Sequence, residues 1–118
     1  LYELENKQKS DFNFVVTDSA VERDFAKLLD NDTDVRLFTK LPPKFKVPTP
    51  VGPYNPDWAI IKHVGGEDKL YLIRETKGTI QEDKLRETEK AKIRAARKHF
   101  AVLGVDYGVS APDNWNLG

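Results

Sequence analysis

The sequence predicts an α/β domain, a central mixed β-sheet flanked by helices, in the order helix, strand, strand, strand, helix, strand. Three observations predict it. Apolar residues recur at helical intervals in two stretches, Ser19–Asn31 and Gln81–Leu103. Between them lie three runs of strand-forming residues, the last two flanking "GGED" in the manner of a β-hairpin. A further short run, "VDYGVS", follows the second helix and closes the pattern.

The elements follow in order. Residues 1–10 are polar and poorly patterned and read as a linker or peripheral segment, and "DFNFVV" (Asp11 to Val16) as a short strand. In the first helix Val21, Phe25, Leu28 and Leu29 form an apolar stripe, with Ser19 as N-cap and Glu22 completing a capping box. The cluster Asn31-Asp32-Thr33-Asp34 ends it. "VRLFTKL" alternates Val35, Leu37, Thr39 and Leu41 on one face with Arg36, Phe38 and Lys40 on the other. "PPKFKVPTPVGPYNP" is too rich in proline for a central strand, because proline offers no ladder N–H; it reads as an extended loop with a short edge strand at Phe45–Val47. "DWAIIKHV" and "KLYLIRETK" form the hairpin. The second helix places Leu85, Ile93, Ala96 and Phe100 on the core side and ends at Gly104 after about six turns. Residues 111–118 read as a tail, so that the core spans 19–110 of a single domain.

Composition narrows the functional classes. Nineteen Lys and Arg balance nineteen Asp and Glu, so net charge by itself points to no nucleic-acid partner. The absence of cysteine excludes disulfides and thiolate metal sites and suits a reducing, cytoplasmic setting. No apolar run approaches the roughly 20 residues of a membrane span, so no membrane partner is expected. The chain starts at Leu1 without a signal-peptide pattern, and is expected to be a fragment of a larger protein.

The hairpin carries charge where burial is expected. Along a strand Glu75 and Lys77 share one face and Thr76 takes the other. Asp57 joins them when paired residue numbers sum to an even value, as in Asp57 opposite Glu75 with a three-residue loop Gly65-Gly66-Glu67. A two-residue turn sends it to the other face unless a bulge intervenes. Two adjacent carboxylates repel one another, and a divalent cation resolves the conflict. Mg²⁺ takes hard oxygen ligands, and Lys77 on the same face would lie beside a water activated there. The plainer reading is a solvated ion pair, Glu75 with Lys77, and an Asp57 that caps a strand end.

Asn55-Pro56-Asp57, seventeen intervening residues and Glu75-Thr76-Lys77 resemble the PD-(D/E)xK nuclease signature. The wording "FKVPTPVGPYNPDWAI", "LYLIRETKGT" and "KIRAARKHF" is similar to the C-terminal endonuclease domain of the restriction (Res) subunit of Type III restriction enzymes, over roughly Ser19 to Tyr107. The resemblance implies a restriction-endonuclease-like core and Mg²⁺-dependent hydrolysis of DNA. Asp57, Glu75 and the backbone carbonyl of Thr76 would be metal ligands and Lys77 the catalytic lysine. Glu22 matches a first-helix glutamate found near the metal in many members, or serves only the capping box. The same resemblance implies double-stranded DNA, a helicase-like motor in the rest of the Res subunit and a methyltransferase (Mod) subunit as partners. No G-x-x-x-x-G-K-[ST] loop is present, so ATP would act only through a motor outside this chain.

From Lys84 to His99 seven Lys and Arg outnumber two Glu. Lys84, Lys90, Arg94 and Lys98 are the candidates for phosphate contacts, which supply affinity without base specificity. The function expected is that of the cleavage module of a restriction system. The alternatives are another nuclease of the superfamily, of repair or resolvase type, and a catalytically idle docking module of the same fold.

Overall fold

The computed structural model describes residues 1–9 and 14–117. Its core is a four-stranded mixed sheet of β3 (Val35–Lys40), β4 (Trp58–Val64), β5 (Glu67–Thr76) and β6 (Asp106–Ser110), in that spatial order. The first three strands pair antiparallel, and β6 runs parallel to β5 after the crossover through α2 (Glu87–Val102). Helix α1 (Ala20–Asn31) lies on the opposite face. Phe25, Ala26 and Leu29 of α1 pack against Phe38, Trp58, Ile60 and Leu72; Ala96 and Phe100 of α2 pack with Ile73, Ala59 and Tyr107. The result is the mixed-sheet α/β core that the pattern predicts, of the restriction-endonuclease-like form that the resemblance implies.

The hairpin turn differs from expectation. Val64 pairs with Glu67 across a two-residue Gly65-Gly66 turn, with both glycines at positive φ (61° and 84°). That conformation suits a primed turn, whose twist matches the strands. Beyond it, Lys62 pairs with Leu70, so two β5 residues stand opposite His63. This bulge restores the even sum that the short turn would have broken. Trp58 therefore faces Arg74, and the next step outward brings Asp57 level with Glu75.

A second bulge corrects the faces of β3. Val35 pairs with Lys62 but Leu37 with Ile61, so Arg36 is the extra residue. Val35 and Phe38 both point to the α1 core, while Leu37 is 45% exposed. Simple alternation had put Leu37 with Val35 and Phe38 opposite.

The segments expected to be peripheral are part of the core. Tyr2–Glu3 (β1) pairs with Phe14–Val15 (β2); of the strand expected over Asp11 to Val16, Asp11 to Asn13 lie outside the described residues. Tyr2 and Leu4 are buried, and a 3-10 turn at Lys7–Lys9 brings the Lys9 ammonium onto the carbonyls of Leu29, Asp30 and Asp32 at 2.7–3.1 Å. These carbonyls close α1 and lack helical partners, so a buried cation is a favourable cap. At the other terminus Trp115 stacks on Phe25, with centroids 5.5 Å apart, and Leu117 packs on the same cluster. Buried Arg74 donates to the carbonyls of Asn116 and Asp106 and holds that segment down. Trp115→Ala is expected to cost about 2 kcal/mol, less than a fully buried aromatic, as read from urea denaturation. No loss would mean that the segment is only draped on the surface.

Two further expectations are revised. The stretch Phe45–Val47 forms no strand; Val47 makes a single bridge with Tyr54. Helix α2 starts at Glu87 and not at Gln81, preceded by a 3-10 turn at Glu82–Lys84. Asp113 is the physical reason. Its carboxylate accepts from the Thr79 hydroxyl (2.6 Å) and the Ile80 amide (3.1 Å), which ties the chain to the C-terminal segment before the helix can begin.

Candidate active site

The proline-rich loop sets one side of the site. The Asn55 side-chain amide donates to the carbonyls of Pro42 and Phe45, and Val47 and Tyr54 exchange backbone hydrogen bonds. Fully buried Pro56 follows, and the Leu41 amide donates to the Asp57 carbonyl at 2.7 Å. Asp57 is thereby held at the mouth of β4, at the end farthest from the hairpin turn.

The carboxylate of Asp57 accepts from both the amide (2.9 Å) and the hydroxyl (2.7 Å) of Thr76 through Oδ2. Glu75 sits beside it, 6% exposed. The Tyr54 hydroxyl donates to Glu75 Oε1 at 2.6 Å, and Lys77 Nζ lies 3.6 Å from Oε2. Burial, reinforced by the charge of Asp57, raises the Glu75 pKa to about 8, although Tyr54 and Lys77 pull the other way. Two carboxylates are thus held together at some electrostatic cost.

Lys77 is shared. Its ammonium is 3.0 Å from Glu89 Oε2 on α2, closer than to Glu75. Burial works against the charge, but Glu75 and the hydrogen bond to Glu89 outweigh it, and the pKa is raised. Lys77 therefore stands as an ammonium in this arrangement and is not poised as a base.

The structure thus brings Asp57, Glu75 and Lys77 together, and gives Glu22 partners of its own. The Glu22 carboxylate pairs with Lys40 (2.5 Å) and accepts from the Asp18 amide, while the Glu22 amide donates to Ser19 Oγ. The capping box is present with its return bond shifted one residue upstream. Among the described residues no group of three or more Asp, Glu or His side chains forms a metal cage. Any cation here would draw on two carboxylates and solvent. Such a hard-oxygen set suits Mg²⁺, which keeps several waters.

Three neighbours went unremarked in the sequence. Tyr54 and Tyr107 share a 2.7 Å hydrogen bond behind Glu75, and Glu89 holds Lys77. Tyr107 stacks on Phe100 of α2, with centroids 5.5 Å apart. Tyr54 lies only three residues before Asp57, a proximity that could have drawn attention. Nothing local marks Tyr107 or Glu89, which reach the site through β6 and α2.

A groove of about 470 Å³ opens beside Asp57 and is lined by Asn55, Thr39, Lys40 and Pro42 among others. A second, of about 460 Å³, runs between the proline-rich loop (Pro48, Pro50, Val51) and α2, where Arg94 and Lys98 line it. Lys84 is exposed on the turn before α2, and Lys90 is 3.2 Å from Glu87. No described helix is long and apolar enough to cross a membrane.

A family model described as an endonuclease domain matches residues 8–113, nearly the whole chain. No curated protein and no solved structure matches it.

Proposed function

Because the chain belongs to the endonuclease-domain family, we propose that it hydrolyses phosphodiester bonds of double-stranded DNA with Mg²⁺ and serves as the cleavage module of a Type III restriction enzyme. The observation that carries the chemistry is the closeness of two carboxylates, Asp57 and Glu75, with Lys77 beside Glu75 at the end of the hairpin away from its turn. A structural ion pair needs one carboxylate. The second raises the cost of ionising the first, and a divalent cation relieves it.

Asp57, Glu75 and the Thr76 carbonyl would hold the ion. An ion held there would supply polarisation of a phosphodiester and a more nucleophilic water. The chain does the rest. Thr76 orients Asp57 through two hydrogen bonds, and Lys77, charged and anchored by Glu89, is placed to neutralise a phosphoryl oxygen or orient the attacking water. Arg94 and Lys98, with Lys84 and Lys90, would contact backbone phosphates.

The Type III assignment rests on the resemblance of the three quoted stretches. It supplies the motor of the Res subunit and the methyltransferase subunit as partners, both cytoplasmic, with ATP acting only through the motor. Cleavage of duplex DNA by the full enzyme, with Mg²⁺ and with EDTA, is the test. Mg²⁺-dependent cleavage is expected, with Asp57→Asn and Lys77→Ala each about a hundredfold slower or worse. Undiminished cleavage by both variants would place the chemistry elsewhere.

A further inference from the structure

The two tyrosines behind Glu75 have no part in the chemistry described so far. They come from separate elements: Tyr54 from the end of the proline-rich loop, Tyr107 from β6. Tyr54 is buried and Tyr107 half-buried, and neither hydroxyl is needed to fill a core that already holds Ile73, Ala96 and Phe100. A phenylalanine pair would pack there without the desolvation cost of two hydroxyls. The hydroxyls instead form a chain. Tyr54 bonds Glu75 Oε1 at 2.6 Å, and the Tyr54 and Tyr107 hydroxyls share a second hydrogen bond of 2.7 Å.

We propose that Tyr54, backed by Tyr107, is a positioning residue of the cation site, which holds Glu75 by Oε1 and leaves Oε2 as the oxygen that meets the metal. The inference rests on the Mg²⁺ reading given above. A ligating carboxylate with free rotation about its last bond presents its oxygens in many orientations, and a short bond to one oxygen removes that freedom. Partners of this kind commonly change metal affinity by about 10–100-fold when removed. The bond also runs to the side away from Lys77, which lies near Oε2. The two sides of the carboxylate are therefore occupied by different groups. The Val47 bridge holds the backbone of Tyr54, whose ring meets that of Tyr107 edge-on, and Tyr107 stacks on Phe100, so the hydroxyls have little room to stray.

Binding of Ca²⁺ measured by calorimetry on the full enzyme tests this apart from turnover, with Mg²⁺ titration of cleavage as a second readout. Wild type should bind Ca²⁺, and Asp57→Asn should abolish binding at this site. Tyr54→Phe, which keeps the ring, should weaken Ca²⁺ binding about tenfold. It should raise the Mg²⁺ concentration for half-maximal cleavage by a similar factor, while cleavage at saturating Mg²⁺ stays within a few-fold of wild type. Tyr107→Phe should do the same to a smaller extent. Unchanged Ca²⁺ affinity in a folded Tyr54→Phe protein, with the Asp57→Asn loss intact, would overturn the positioning role alone. Wild-type protein whose Ca²⁺ binding is absent, or indifferent to Asp57→Asn, would overturn the cation site and this inference with it. A Tyr54→Phe protein that loses melting temperature but not affinity would assign the hydroxyl to stability only.

Discussion

Glu75→Gln is expected to abolish cleavage, by about a thousandfold or more, and at the same time to stabilise the metal-free protein at alkaline pH. The amide keeps the shape of the side chain and an oxygen that can accept from Tyr54, but brings no charge against Asp57. The sign follows from proton binding. Glu75 ionises near 8 in the folded protein and near 4.5 when exposed, so the folded state holds a proton that the unfolded state releases between those values. Stability of the metal-free wild type therefore falls as pH rises from about 4.5 to about 8 and levels off above it. The variant lacks that slope, and should exceed wild type by on the order of 5 kcal/mol above pH 8, with the two converging in acid. Melting curves in EDTA across that range are the measurement. Parallel curves at all pH values would show that neither burial nor the charge of Asp57 raises the Glu75 pKa. By the same proton balance, divalent-cation affinity of wild type should rise with pH toward 8, since the ion displaces the Glu75 proton.

The second large effect is purely structural. Asp30→Ala is expected to cost about 3–5 kcal/mol, read as a lower urea midpoint with an unchanged slope. The carboxylate is fully buried at the end of α1 and accepts from the Tyr2 hydroxyl, the amides of Glu5 and Asn6 and the Asn6 side chain, at 2.7–3.2 Å. Alanine leaves these donors facing each other without an acceptor, and a buried unpaired donor costs its full desolvation. Asp30→Asn, which retains one acceptor oxygen, should fall between. Burial alone would raise the Asp30 pKa, but those hydrogen bonds lower it below the usual 3.8. Its contribution is accordingly complete above that value and lost as pH falls through the depressed one. A cost under about 1 kcal/mol for Asp30→Ala would mean that residues 2–6 are not clamped to α1 in solution.

Much of the candidate site's geometry is legible in the sequence because strand alternation is a strict rule. Once Asp57, Glu75 and Lys77 lie on adjacent strands, parity leaves two outcomes, and residue types suited to a cation favour one. The turn was misjudged because a Gly-Gly pair serves a two-residue primed turn as readily as a longer loop, and only pairing reveals the bulge. Residues 1–10 read as peripheral because the bonds of Glu5 and Lys9 run to α1, some twenty residues away, and leave no local period. The late start of α2 was hidden for the same reason: Asp113 acts on Thr79 and Ile80 from the far end of the chain.

The sequence by itself determined the element order, the two helical apolar stripes and the presence of two carboxylates and a lysine on the hairpin, because these depend on period and residue type. The tertiary structure alone decided that Glu89 holds Lys77, that two tyrosines stand behind Glu75, and that Glu22 goes to Lys40. Such pairings depend on where α2, β6 and the proline-rich loop settle on the sheet. Two bulges choose the faces to which residues of β3, β4 and β5 point, and a bulge has no period to read.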